Sequence, residues 1–270
     1  MRQLLLALQF LTIVPVKVSG TVTGKDMSGS AAFFPLAGAF QGLLAVCAAL
    51  VSAAFFPPEI TSGLVLLALI VSNGGFHLDG LADTFDALSV KSGGDYAADR
   101  DKKLQVMKDS TTGAIGVIAI VMTLLLKFLF LNNVISSSLS PARYAFLFLM
   151  PVFSKWGMIL NMYHGVSARQ DGLGKMFIEN ITLVSVLLAS LLLTLFCFAA
   201  DRLYLHAEFG AGMILLFIVL IAVFSVFRIL SAGFFNNRFG GITGDTLGAA
   251  GEISEILFLL VTSLWLQRSI

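Results

Sequence analysis

Seven long apolar runs leave few folds open to this 270-residue chain. They cover Phe33–Phe56, Ile60–Phe76, Ala114–Leu131, Ala142–Met162, Ile181–Ala200, Ala211–Leu230 and Leu247–Leu266. A helix crossing the hydrocarbon core of a bilayer needs about 20 mostly apolar residues. It must also satisfy its own backbone polar groups, so each run reads as a helix and not as a strand. Composition agrees: 57% of residues are hydrophobic and 12% charged, with a mean hydropathy of +0.93, where a soluble domain carries about 25% charged residues. A formal net charge of +1 excludes an electrostatic nucleic-acid binder. Cys47 and Cys197 lie inside apolar runs, where cysteine acts as a small hydrophobe, so no disulfide scaffold is expected. The expected fold is all-α: one polytopic membrane domain over residues 1–270, with about seven transmembrane helices. The second run ends in Asn73-Gly74-Gly75, where a break is expected. The apolar stretch Leu4–Val16 is short for a span and has no small-residue cleavage site close behind it. It reads as a re-entrant or interfacial helix ended by Pro15, not as a secretory signal.

Basic residues set the expected orientation. With the N-terminus in the cytoplasm, the inner segments hold Arg2, Lys17, Lys25, Lys91, Arg100, Lys102, Lys103, Lys108, Arg169, Lys175, Arg228 and Arg238. The outer side holds Arg143, Arg202 and Arg268. This bias predicts a multi-pass protein of the cytoplasmic (inner) membrane with its C-terminus outside.

The chemistry is expected in three cytoplasmic segments. The longest, His77–Gly113, opens with Asp79, Asp83 and Asp86 at i, i+4 and i+7. On a helix these fall within roughly 60° of arc, a single acidic stripe among Leu, Ala and Phe. Three close carboxylates repel one another unless a divalent cation neutralises them. Mg²⁺ suits the pattern, since it takes one or two carboxylates plus substrate phosphates. A solvated helix face is the competing reading. His77, behind Gly74-Gly75, is a candidate general base. The segment closes on Lys108-Asp109-Ser110-Thr111-Thr112, where a hydroxyl is able to cap the third span, or the helix N-terminus to receive phosphate. The stretch Asp95–Lys103 mixes charge signs and reads as a solvated face. The last segment, Arg238–Glu252, places Gly240, Gly241, Gly244, Gly248 and Gly251 around Asp245. Glycine there lets backbone approach a ligand closely. Glu252 and Glu255 lie within the last span, and ionisable groups in a span are functional by default. Lys155 and Arg228, near the cytoplasmic side of their spans, are candidates to face phosphates. Clustered Asp, scattered Lys and Arg, and Gly-rich backbone suit metal-assisted phosphoryl transfer. Prenyl diphosphates and nucleotide-activated alcohols are both handled by Asp-rich membrane enzymes, and spacing does not choose between them. An ion-coupled transporter is the rival from another class, although its acids would lie at mid-membrane.

Several segments together resemble the cobalamin synthase (adenosylcobinamide-GDP ribazoletransferase) family. They are Leu8-Gln-Phe-Leu-Thr-Ile-Val-Pro15, Phe33-Phe-Pro-Leu-Ala-Gly38, Gly75-Phe-His-Leu-Asp-Gly-Leu-Ala-Asp-Thr-Phe-Asp86, Met107-Lys-Asp-Ser110 with Gly113-Ala-Ile-Gly116, and Gly240-Gly-Ile-Thr-Gly-Asp-Thr-Leu-Gly-Ala249. Ser154-Lys-Trp156 stands where the family pattern has Ser-Arg-Trp. The resemblance implies a Mg²⁺-dependent transferase of cobalamin biosynthesis. Such an enzyme joins adenosylcobinamide-GDP to α-ribazole or its 5′-phosphate and releases GMP. It implies Asp79, Asp83 and Asp86 as metal ligands, and His77, Asp109 and Asp245 in catalytic roles. It further implies substrate contacts from Lys108, Lys155, Ser110, Gly241, Thr243, Gly244 and Thr246. The expected partners are those substrates and the lipid bilayer, with no nucleic acid; a homo-oligomer is left open.

Overall fold

The computed structural model describes residues 1–137, 141–170, 172–206, 210 and 212–268. Among these the chain is helical, with no strand and one isolated parallel bridge, Ser167 to Ile242. Its helices are α1 Arg2–Leu11, α2 Gly24–Ala31, α3 Phe34–Ala53, α4 Pro58–Ser72, α5 Phe76–Leu88, α6 Tyr96–Val106, α7 Ala114–Ile135, α8 Ala142–His164, α9 Leu173–Ile178, α10 Leu183–Ala200, α11 Gly212–Phe239 and α12 Gly244–Arg268. A single π turn, Asp201–Leu205, continues α10. Among the described residues six helices are long and apolar enough to cross a membrane, α3, α7, α8, α10 with its π turn, α11 and α12, or seven if the bent pair α4 and α5 counts as one span. The sixth apolar run begins at Ala211, which lies outside the described residues.

The expected break after the second run is present. Gly74 and Gly75 take positive φ, 66° and 75°, and the Asn73 side chain accepts the Gly75 N–H. The chain leaves α4 at 85°, so α5 lies across the starts of α7 and α12 instead of continuing the span. The N-terminal run forms α1, which ends at Leu11, four residues before Pro15, and packs on α2 and α3.

Helix α8 is buried on every side and contacts α3, α10, α11 and α12. A mostly apolar helix belongs in such a place, with Ser154, Lys155 and Asn161 as its buried polar exceptions. On α3, Gly38 and Gly42 sit four residues apart against α8. A Cβ at Gly38 would lie 2.6 Å from the Pro151 carbonyl oxygen, so the two backbones touch as small-residue pairs permit. Helices α7, α10 and α11 turn Leu129, Leu191 and Ile218 outward, as lipid-facing surfaces do. The polar stretch at Asp95–Lys103 is a helix: the Asp95 carboxylate caps α6 by accepting from the Ala97 and Ala98 amides, and no α6 residue is buried. That keeps its solvated character and adds regular structure.

Candidate active site

Helix α5 buries Leu78 and Leu81 against Ala119 of α7 and Ala249 of α12. Gly80 rests on the first turn of α12, where a Cβ would come within 2.8 Å of the Asp245 Cα. This close approach brings the α5 carboxylates to Asp245, which is 165 residues away from Gly80 in the sequence. Burial, then the negative charges of Asp79, Asp245 and Asp86, push the Asp83 carboxyl up to about 7. The Arg169 charge offsets this crowding only in part.

Beside it opens a cavity of about 380 Å³. Asp79, His77, Gly244, Asp245 and Gly248 line one end, and Gln9, Phe10, Leu11, Phe34, Phe76 and Met158 the other. Asp245 is held from outside α12 by Arg169, whose Nη2 lies 2.7 Å from Oδ2. Arg169 reaches it because the Val166–Ala168 segment pairs with Ile242: the Ile242 N–H donates to the Val166 carbonyl and the Ala168 N–H to the Ile242 carbonyl. Gly241 permits that pairing, since a Cβ there would meet Ala168 N and the Val166 oxygen. The Arg169 Nε is buried without a hydrogen-bond partner. In the sequence Arg169 is only one of the inner basic residues, and the loop pairing is what places it against Asp245.

The stripe divides. Asp79 is exposed, Asp83 half-buried and Asp86 buried. Asp86 accepts hydrogen bonds from the Gly113 N–H (2.7 Å) and the Gly116 N–H (2.8 Å), and so caps α7 from α5. This corrects the expectation that Ser110, Thr111 or Thr112 caps that helix: the N-cap is Gly113 and no side chain of the segment bonds there. Lys108, Asp109 and Ser110 lie exposed in the loop leading to Gly113. The hydroxyl and amide of Thr111 hold the Asp109 carboxyl below its ordinary range. Thr243 and Thr246 cap α12 reciprocally. The Thr246 N–H donates to the Thr243 hydroxyl, and the Thr243 N–H to the Thr246 hydroxyl.

A second charged cluster lies buried below the cavity. Lys127 of α7 sits between Glu252 (2.5 Å) and Glu255 (2.6 Å) of α12. Lys155, fully buried in α8, lies 3.5 Å from Glu255 and 3.4 Å from the His77 Nδ1. It is therefore an ion-network residue that does not line the cavity. Arg228 is likewise buried. Helix α11 runs on to Phe239, which places Arg228 mid-helix, where its Nη2 donates to the Ser254 hydroxyl and the Ser154 carbonyl. His77 joins the two clusters. Burial, reinforced by the Lys155 charge, holds its imidazole well below the usual pKa, so the ring is neutral. Asn73 offers its amide nitrogen to Nδ1 at 3.3 Å, because its oxygen already accepts from Gly75. With the Lys155 ammonium also 3.4 Å from Nδ1 and the Glu252 carboxylate farther off at 3.9 Å, these neighbours favour the tautomer in which Nδ1 accepts and Nε2 carries the proton.

Among the described residues, no three His, Cys, Asp or Glu side chains converge closely enough to hold an ion alone. The donors still fit Mg²⁺, which takes one or two carboxylates and completes its shell with phosphates and water. Asp79 and Asp83 supply hard oxygens on a face whose charge Arg169 offsets only in part.

The family described as cobalamin-5-phosphate synthase matches residues 3–263 of the chain. A Thermodesulfovibrio yellowstonii protein named adenosylcobinamide-GDP ribazoletransferase is 35% identical over 97% of this chain and 98% of its own length. Proteins of the same name from Clostridioides difficile and Geotalea daltonii are each 34% identical over 96% of both chains. No solved structure matches.

Proposed function

The chain belongs to the cobalamin-5-phosphate synthase family of membrane enzymes, and on that premise we propose that it joins adenosylcobinamide-GDP to α-ribazole or its 5′-phosphate, with release of GMP. The reaction is Mg²⁺-dependent and takes place at the cytoplasmic face of the inner membrane, the side on which the basic residues concentrate. The observation that carries this reading is the crowded acidic face of Asp79 and Asp83 next to an Asp245 carboxylate ion-paired with Arg169, whose buried Nε has no hydrogen-bond partner. A metal-bound diphosphate would satisfy both crowded carboxylates and a guanidinium N–H without an acceptor.

Asp79 and Asp83 would hold the metal, which when bound neutralises phosphate oxygens. Arg169 offers its free N–H to a phosphoryl oxygen while its Nη2 keeps Asp245 in place. Asp245, in the cavity wall with Asp79, is placed to take the proton of the attacking hydroxyl. The His77 Nε2–H is a further donor to developing negative charge. Asp86 fixes the start of α7, and with it the loop carrying Lys108, Asp109 and Ser110, against α5. Those three residues are proposed to contact the donor's phosphates, and Gly244 to admit it closely to the start of α12. Attack is proposed to be direct, since no cysteine lies in these loops and carboxylates that hold a metal are poor nucleophiles.

Product analysis tests the reading. Purified protein with Mg²⁺, the GDP-linked donor and the nucleoside should yield GMP and coupled product in equal amounts. Donor recovered intact would point to transport. A requirement for a cytidine-activated or prenyl donor would place the chain's chemistry in another transferase class.

A further inference from the structure

We propose that the apolar end of the cavity, formed by Gln9 and Phe10 of α1 with Phe34 of α3, is the subsite for the flat base of the acceptor nucleoside. The proposal rests on the reading of the reaction given above, and assigns to α1 a part in substrate selection.

The cavity is chemically divided. Asp79, Asp245, His77 and two glycines occupy one end; Phe10, Leu11, Phe34, Phe76 and Met158 occupy the other, where Gln9 is the one polar side chain. After Arg2 and Gln3, helix α1 is otherwise apolar and buries Leu6, Ala7 and Leu11. Gln9 interrupts that run, is exposed and lines the cavity. The Phe10 and Phe34 rings lie 6.1 Å apart with planes 22° apart. Both brace against the buried Phe177, at 4.6 and 5.4 Å. The aromatic wall is thus set before any ligand arrives.

Two bases and a macrocycle take part in the proposed reaction, and the wall discriminates among them. Guanine carries two donors and an acceptor along one edge, and burial without partners for them is costly. The apolar end offers one amide. A benzimidazole joined to its sugar through one ring nitrogen keeps a single acceptor, the other ring nitrogen, which one Gln9 N–H satisfies. The remainder of that base is apolar and suits rings that stack or meet edge to face. The macrocycle is far too large for about 380 Å³ and must stay outside. With the base at the Phe10 end, the nucleoside's sugar hydroxyls point to Asp79 and Asp245, where the phosphorus is attacked.

The test uses the full-length protein in detergent or nanodiscs, with a benzimidazole nucleoside as the probe. The wild type should bind the nucleoside in calorimetric titration without donor or Mg²⁺. Phe10→Leu, which keeps apolar bulk but removes the ring face, should raise the nucleoside KM about tenfold, the size of one aromatic contact. The donor KM should stay within about twofold. Gln9→Ala, at an exposed position, should raise the nucleoside KM in the same direction and relax discrimination against a purine nucleoside. A rise in donor KM with an unchanged nucleoside KM, or no change in either, would overturn the subsite while leaving the reaction standing. Nucleoside binding that Phe10→Leu weakens, in a protein that releases no GMP, would uphold the subsite and overturn the reaction.

Discussion

Two charged regions lie one above the other in this molecule, and His77 touches both. In the lower one, Lys127 and Lys155 answer Glu252 and Glu255 inside the helix bundle, at separations of 2.5 to 3.5 Å. In the upper one, Asp79 and Asp245 line the cavity with Asp83 crowded beside them, and Arg169 is the cation in contact with Asp245. Both consist of ionisable residues in or beside apolar helices, and a general rule marks all of them as functional. The difference is compensation. Paired charges shut away from water hold helices in register, whereas crowded carboxylates beside a cavity are what the proposed metal would neutralise.

This contrast breaks most visibly at Lys127. Lys127→Met leaves two buried carboxylates without their shared ammonium, and should cost about 3–5 kcal/mol of stability. Thermal unfolding in detergent should show a large fall in Tm, partly recovered in Lys127→Met combined with Glu252→Gln. Turnover per folded molecule should survive. A collapse of turnover at unchanged Tm would move the network into the catalytic machinery.

In the upper region the effects should reverse. Asp79→Asn and Asp83→Asn should each lower turnover by at least about 10²-fold, the loss expected when charge stabilisation of a transition state is removed. Their Tm should hold or rise, since each substitution relieves repulsion. Asp86 divides the stripe: its carboxylate serves the Gly113 and Gly116 amides, so Asp86→Ala should cost about 1–2 kcal/mol of stability, the upper range for a helix cap. Equal losses of turnover and equal Tm for all three Asp variants would remove the distinction.

The smallest effect is one of pH. The Asp83 carboxyl ionises near 3.8 when unfolded and near 7 in the metal-free fold. The folded state therefore binds more protons between those values, and this group's contribution to stability falls as pH rises from about 4 to 7. Melting of the metal-free protein should show that decline, and Asp83→Asn should flatten it. An unchanged slope in the variant would mean that Asp83 is not the crowded group.

The apolar runs made the spanning helices legible in the sequence, and the Asn73-Gly74-Gly75 break with them, because each is a property of one segment. The Asp stripe was legible for the same reason: helical spacing places Asp79 and Asp83 together without reference to anything else. What stayed hidden needs partners distant in sequence. Asp86 looks like its neighbours until the α7 amides meet it. Lys155 and Arg228 read as phosphate ligands from their depth alone, but α12 supplies Glu255 and Ser254 to hold them inward. Arg169 lies in an undistinguished loop, and only its pairing with Ile242 carries it to Asp245. Helix α1 read as an interfacial element, and no pattern within it shows that Gln9 and Phe10 border the cavity.

Metal binding separates the two regions most directly. Mn²⁺, a spectroscopic stand-in for Mg²⁺, can be titrated into the purified protein and the bound ion counted by electron paramagnetic resonance. Binding should be abolished by the double variant Asp79→Asn/Asp83→Asn and retained when Lys127→Met is combined with Glu252→Gln. Retention in the first and loss in the second would place the metal in the buried network and contradict the division drawn between them.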